Sequence, residues 1–159
     1  MNFTPPSFLV TTRFNQHTFE LNCKYRARFN RPCIYCTPMP ISSDIPSRFK
    51  VYVIEMNNTT NKIEGIGVIL NFPDWSLPEV SYHECENNNE HLNRYRYLGI
   101  NHINRTTLST LFPQLEYIET ALFTGKSHSK RGNGLLKFPH RFEAMQKHII
   151  RTLDRYFTK

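Results

Sequence analysis

The stretch that most restricts what this chain can become is Phe49 to Met56, in which Val51, Val53 and Glu55 alternate with Tyr52, Ile54 and Met56. A strand that is largely apolar on both faces stays out of water only when both faces are covered, so it belongs at the centre of a sheet. Asn57-Asn58-Thr59-Thr60-Asn61 follows, made of residues that tolerate turn dihedrals and bond their own backbone. Ile63 to Leu70 then completes a β-hairpin. Its second strand carries Gly65 and Gly67. Strand glycines weaken a strand unless something needs their space, which points to a bulge, a barrel corner or the close approach of another backbone.

Helical signals flank this hairpin. Thr18 to Phe29 places Leu21, Tyr25 and Phe29 four residues apart, with Lys24, Arg26 and Arg28 between them, and Arg31-Pro32 ends the pattern. Cys33 to Thr37 is a short β-prone run. Arg94 to Ile100 alternates basic with aromatic or aliphatic residues, as a half-buried strand does. Leu108, Leu111, Phe112, Leu115, Ile118 and Leu122 form a helical stripe that Pro113 divides, with Pro113 suited to the first position of the second helix. Pro139 to Tyr156 sets Phe142, Met145, Ile149 and Leu153 against Arg141, Lys147, Arg151 and Arg155, a helix with one core face and one basic face. The expected fold is therefore α+β: a small, strongly bent antiparallel sheet or barrel flanked by N-terminal and C-terminal helices. At 159 residues, 1–159 reads as a single domain.

Charge divides the chain unevenly. Residues 1–123 hold eleven Lys and Arg against eleven Asp and Glu, whereas 124–159 hold nine against two, which is the whole net charge of +7. A basic loop and helix over 124–159 calls for an anionic partner at that end. Residues near 72–93 carry Asp74, Glu79, Glu84, Glu86 and Glu90 with no Lys or Arg, and read as an exposed acidic loop. It would be repelled by a nucleic acid or would cover the basic loop when no ligand is present.

The chemistry concentrates in Lys126-Ser127-His128-Ser129-Lys130-Arg131-Gly132-Asn133-Gly134. Here Lys126, Lys130 and Arg131 supply charge for phosphate, Gly132 and Gly134 allow the backbone N–H groups to approach, and His128 can donate a hydrogen bond. Gly125-Lys126-Ser127 copies the end of a phosphate loop. The first glycine of that motif would fall on Thr120, after a helix rather than a strand, which excludes a nucleotide-hydrolase loop. Arg94 and Arg96, interleaved with tyrosines, and Trp75, with Tyr82, Tyr95 and Tyr97, form a possible base-stacking platform.

Two further constellations are weighed as alternatives. His128 between Lys126 and Lys130 could act as acid or base in phosphodiester cleavage, yet no second histidine motif or carboxylate pair stands beside it, so binding is favoured over catalysis. Cys33-x-x-Cys36 with His83-x-Cys85 has ligand types for zinc, but the second half lacks the repeated spacing of a zinc ribbon, so no cofactor is expected and zinc is the alternative. The sequence shows no run of 18 apolar residues and no signal-peptide pattern at Met1, which favours an intracellular protein, with no membrane partner and with its cysteines as thiols.

Val53-Ile54-Glu55-Met56-Asn57-Asn58 with Asn61-Lys62-Ile63-Glu64-Gly65-Ile66-Gly67, and the Lys126 to Gly134 loop, resemble small basic proteins encoded by large double-stranded DNA viruses of eukaryotes. That resemblance implies a viral accessory protein of the host cytoplasm, nucleus or virion, and brings no assigned activity. In fold, the strand and Gly-x-Gly hairpin are similar to the small barrels of the PUA-like group, including ASCH, EVE and YTH domains, which bind RNA or modified bases. In that group a base sits in a pocket beside the barrel, often against an aromatic residue, a role the resemblance implies for Trp75. The expected function is nucleic-acid binding, RNA or DNA. The alternatives are a structural virion or protein-interaction component, whose contacts would survive high salt, and a nucleic-acid-processing enzyme using His128.

Overall fold

The computed structural model describes residues 4–83 and 90–158. Its elements run β1 (Phe8–Phe14), α1 (Gln16–Phe29), β2 (Ile34–Thr37), β3 (Lys50–Asn57), β4 (Lys62–Leu70), β5 (Tyr95–Leu98), β6 (Asn101–Asn104), α2 (Arg105–Leu111), α3 (Leu115–Phe123), β7 (Leu136–Lys137) and α4 (Glu143–Phe157). The fold is α+β. Five strands form one sheet in the order β6-β4-β3-β1-β7, and β2 pairs with β5 in a separate two-stranded sheet.

β3 is the central strand, as its two apolar faces require. Tyr52, Ile54 and Met56 join Leu9, Ile66 and Ile103 in a core cluster with Leu115 and Ile118 of α3 and Ile149 and Leu153 of α4. Val51 and Val53 face the other way, into a cluster with Val10, Phe14, Ile34, Tyr35 and Tyr97, against which Phe19, Leu21 and Tyr25 of α1 pack. The sheet therefore lies between α3 and α4 on one side and α1 with the β2-β5 ribbon on the other.

The sheet is mixed and open rather than an antiparallel sheet or a closed barrel. The difference comes from β1, Phe8–Phe14, a strand that precedes the first helix signal. β1 lies parallel to β3, Val10 opposite Val53 and Phe14 opposite Asn57, because α1 carries the chain back across the face before β3 begins. The N-cap of α1 is a capping box. Asn15 Oδ1 accepts from Thr18 N at 2.8 Å, and Thr18 Oγ1 accepts from Asn15 N at 3.0 Å.

Gly65 and Gly67 serve both a bulge and close approach. The β3–β4 register shifts between Glu55 and Met56, opposite Gly65 and Ile63. A Cβ on Gly67 would lie 1.9 Å from Tyr35 Oη and 2.7 Å from Cys33 Sγ, and one on Gly65 would lie 2.8 Å from the His102 ring. Of these neighbours, Tyr35 and His102 converge on Glu55, which is fully buried. Its carboxylate accepts from Arg26 Nη2 and Tyr35 Oη, each at 2.5 Å, and lies 3.1 Å from His102 Nε2. Burial alone would raise the Glu55 pKa, but Arg26, His102 and Tyr35 hold it down at about 2.

Other elements differ in detail from their sequence patterns. α3 begins at Leu115, two residues after Pro113, and Phe112 caps α2. The 72–93 segment is not uniformly exposed. Phe72 and Trp75 are exposed, while Val80, Tyr82 and Asn93 are buried. Glu84, Glu86 and the Asn87-Asn88-Asn89 run lie outside the described residues. Among the described residues, no helix is long and apolar enough to cross a membrane.

Candidate nucleic-acid interface

The two parallel strands end side by side, β1 at Phe14 and β3 at Asn57, and α1 starts immediately after β1. In open α/β arrangements this is where ligands bind, because chain reversals beyond the carboxyl ends leave a crevice. A crevice of about 280 Å³ lies here, bordered by Arg13, Asn15, Asn58, His83, Lys130 and Gly134, among others. The first turn of α1 contributes the positive end of its dipole. The N–H groups of Asn15, Gln16 and Thr18 are already taken by Thr18 Oγ1, Thr59 Oγ1 and Asn15 Oδ1.

Arg13, which no local sequence pattern marks out, is the centre of the arrangement. Its Nη1 donates to Thr11 Oγ1 at 3.0 Å and Ser129 O at 2.9 Å, and its Nη2 to Thr11 O at 2.9 Å and Gly134 O at 3.1 Å. The guanidinium thus holds both ends of the basic loop to β1. Nε is buried and has no partner. Among the described residues Arg13 forms no ion pair with a carboxylate, and burial lowers its pKa to about 10, so it stays protonated at neutral pH. A half-buried cation with no carboxylate partner among the described residues leaves a positive potential that an anion can relieve.

The loop is built by its own polar groups. Ser129 N donates to Leu122 O at 2.6 Å, Asn58 Nδ2 to Lys130 O at 2.9 Å, and Lys130 N to His128 Nδ1 at 3.2 Å. Arg141 closes the far side through Ser127 O. Gly132 and Gly134 have φ of 98° and 86°, a region that favours glycine. A Cβ on Gly134 would also fall 2.2 Å from Thr37 Oγ1. Among the described residues, the backbone N–H groups of Gly132, Asn133 and Gly134 and the Lys130 ammonium have no protein partner.

Of the residues selected from sequence, Lys130, Gly132 and Gly134 meet Arg13 at the crevice. Lys126 and Arg131 are exposed on the loop. His128 does not border the crevice. Its Nδ1 accepts a backbone N–H, which leaves the ring hydrogen on Nε2 and makes this side chain part of the loop's scaffold. His83 and Leu92, which bracket the acidic segment, border the same crevice as Lys130.

Trp75, Arg94 and Arg96 form a neighbouring surface. Thr37 pairs with Tyr95, and Pro38, the next residue, borders the crevice. Trp75 is 54% exposed, donates through Nε1 to Arg94 O at 2.9 Å, and lies 6.1 Å from the Tyr95 ring. Arg94 is exposed, with its guanidinium 5.5 Å from the Tyr95 ring centre. Arg96 is committed to the fold, donating to Val80 O at 3.1 Å and Pro78 O at 3.0 Å. Tyr82 and Tyr97 are not available for stacking. Both are buried, and their hydroxyls accept from Cys36 N and Ile41 N. The platform reduces to Trp75 and Tyr95.

Cys33 and Cys36 are packed in the interior, and Cys23 is half-buried. Cys33 Sγ points to Asn101 O at 3.4 Å, and His83 Nε2 lies 3.0 Å from the carbonyl oxygen of Cys36, not its thiol. Burial pushes the Cys33 and Cys36 thiols up to about 12, which keeps them protonated at neutral pH. Cys85 lies outside the described residues. Among the described residues no group of three or more His, Cys, Asp or Glu side chains is placed to hold a metal ion.

No protein-family model, curated protein or solved structure matches the chain.

Proposed function

We propose that the protein binds nucleic acid, seating phosphate in the crevice between the start of α1 and the Lys126 to Gly134 loop. The observation that carries this reading is the half-buried Arg13 guanidinium, which organises the loop and has no carboxylate partner among the described residues. Lys130 adds a second charge, and Gly132, Asn133 and Gly134 add N–H donors, the usual means of holding a phosphate. Lys126, Arg131 and the basic outer face of α4 extend the contact along a backbone. Trp75 and Tyr95 lie where a neighbouring base could stack, the part that the PUA-like analogy assigns to an aromatic residue. A viral accessory role, in host cytoplasm, nucleus or virion, would suit such binding.

Fluorescence titration of single-stranded RNA, single-stranded DNA and duplex at two salt concentrations tests the proposal. Binding should weaken steeply with salt, by roughly 0.9 log units in K per log unit of salt for each phosphate contacted on duplex DNA. Lys130→Glu/Arg131→Glu should abolish it. The proposal fails if the wild type binds none of the three at low salt, or if the double variant binds as the wild type does.

A further inference from the structure

Resting on that reading, we infer that the crevice is a receptor for a strand end: it takes a nucleotide bearing a terminal phosphomonoester in preference to an internal phosphodiester. Three features converge on this ligand.

The first is size. At about 280 Å³ the crevice falls just under the roughly 300–1,000 Å³ range of pockets for drug-sized molecules, so it suits one nucleotide unit rather than a continuous run of strand.

The second is charge. Arg13 and Lys130 border the crevice at the positive end of α1, and no described carboxylate lines it. An internal phosphodiester brings one negative charge, whereas a phosphomonoester brings about 1.5 to 2 at neutral pH. Cations with no carboxylate partner among the described residues reward the additional charge.

The third is a buried acceptor among these cations. Asn58 borders the crevice, and its amide orientation is set by Nδ2 donating to Lys130 O. Its Oδ1 is consequently turned away from that bond, buried and without a donor. A bare dianion offers nothing to it. A nucleotide offers a sugar hydroxyl, a base N–H or, when singly protonated, the phosphate hydroxyl.

The experiment compares short single strands identical except at their ends. One pair carries a 3′ fluorophore and either a 5′-phosphate or a 5′-hydroxyl; the other carries a 5′ fluorophore and either a 3′-phosphate or a 3′-hydroxyl. A nucleoside monophosphate and inorganic phosphate serve as unlabelled competitors. One phosphorylated end should bind at least tenfold tighter than its hydroxyl counterpart, and the mononucleotide should compete better than inorganic phosphate. Lys130→Met, which retains the loop backbone and removes only the ammonium, should reduce the end preference without moving the thermal midpoint. If all strands bind within twofold of one another, the end-receptor inference is overturned while nucleic-acid binding stands. Competition by inorganic phosphate equal to that of the mononucleotide also overturns it. If no strand binds, both readings fall.

Discussion

Replacing Glu55 by Gln removes one charge from the most enclosed polar cluster in the molecule. In the wild type, the carboxylate is fully buried and shared by Arg26, Tyr35 and His102. Gln keeps the shape and leaves Arg26, itself buried, without its ion-pair partner. The Glu55 pKa in the folded protein is about 2 against an ordinary 4.5, a depression that corresponds to on the order of 3 kcal/mol of stability. Removing one partner of a buried pair typically costs about 3–5 kcal/mol, so the two routes to the magnitude agree. The sign follows from linkage. Because the folded value is depressed, this stability is fully present above the unfolded-state value near 4.5 and is lost as pH falls toward 2. Urea denaturation at pH 7 should show Glu55→Gln less stable by about 3–5 kcal/mol, and the pH dependence that the wild type shows between about 4.5 and 2 should be much reduced. Arg26→Met/Glu55→Leu, which leaves no orphaned charge, should lose less than Glu55→Gln alone. A Glu55→Gln protein within about 1 kcal/mol of wild type, with an unchanged acid profile, would refute the electrostatic account of this cluster.

Gly67→Ala should destabilise by about 1–3 kcal/mol in the same denaturation assay, because its Cβ collides with Tyr35 Oη and Cys33 Sγ. A neutral result would mean that Tyr35 is free to move away from Glu55. Gly134→Ala should weaken nucleic-acid binding at least tenfold in a fluorescence titration and also lower the thermal midpoint, since φ of 86° and the contact with Thr37 Oγ1 both oppose a Cβ in the loop. Cys33 and Cys36, both buried with thiols pushed up to about 12, should react with a disulfide reagent at neutral pH only as fast as the protein opens. Reaction of either at the rate of a free thiol, measured by mass spectrometry of labelled peptides, would contradict that packing.

Much of the frame was legible because it rests on local periodicity. The two apolar faces of Phe49 to Met56 require a central strand, and β3 is one. The stripes of α1 and α4 appear with their apolar residues against the sheet. β1 escaped notice although Phe8-Leu9-Val10-Thr11-Thr12-Arg13-Phe14 is rich in β-branched and aromatic residues, the signal that would have found it. Missing it turned a mixed open sheet into an expected antiparallel sheet or barrel. It also hid Arg13, whose partners at Ser129 and Gly134 are more than 110 residues away.

Composition and spacing alone established the charge excess after residue 124, the basic glycine loop and the need for space beside Gly65 and Gly67. These are properties of neighbouring residues, and short-range sterics and charge suffice to read them. Which atoms occupy that space, and which of the many cations lack a partner, depend on contacts between distant segments. Only the packed chain could show that Tyr35 and His102 fill the space at the glycines, that Arg96 is consumed by backbone carbonyls, and that Arg13 remains positively charged beneath the loop. The physical reason is that burial sets the energy of a charge, and burial is a property of the tertiary fold.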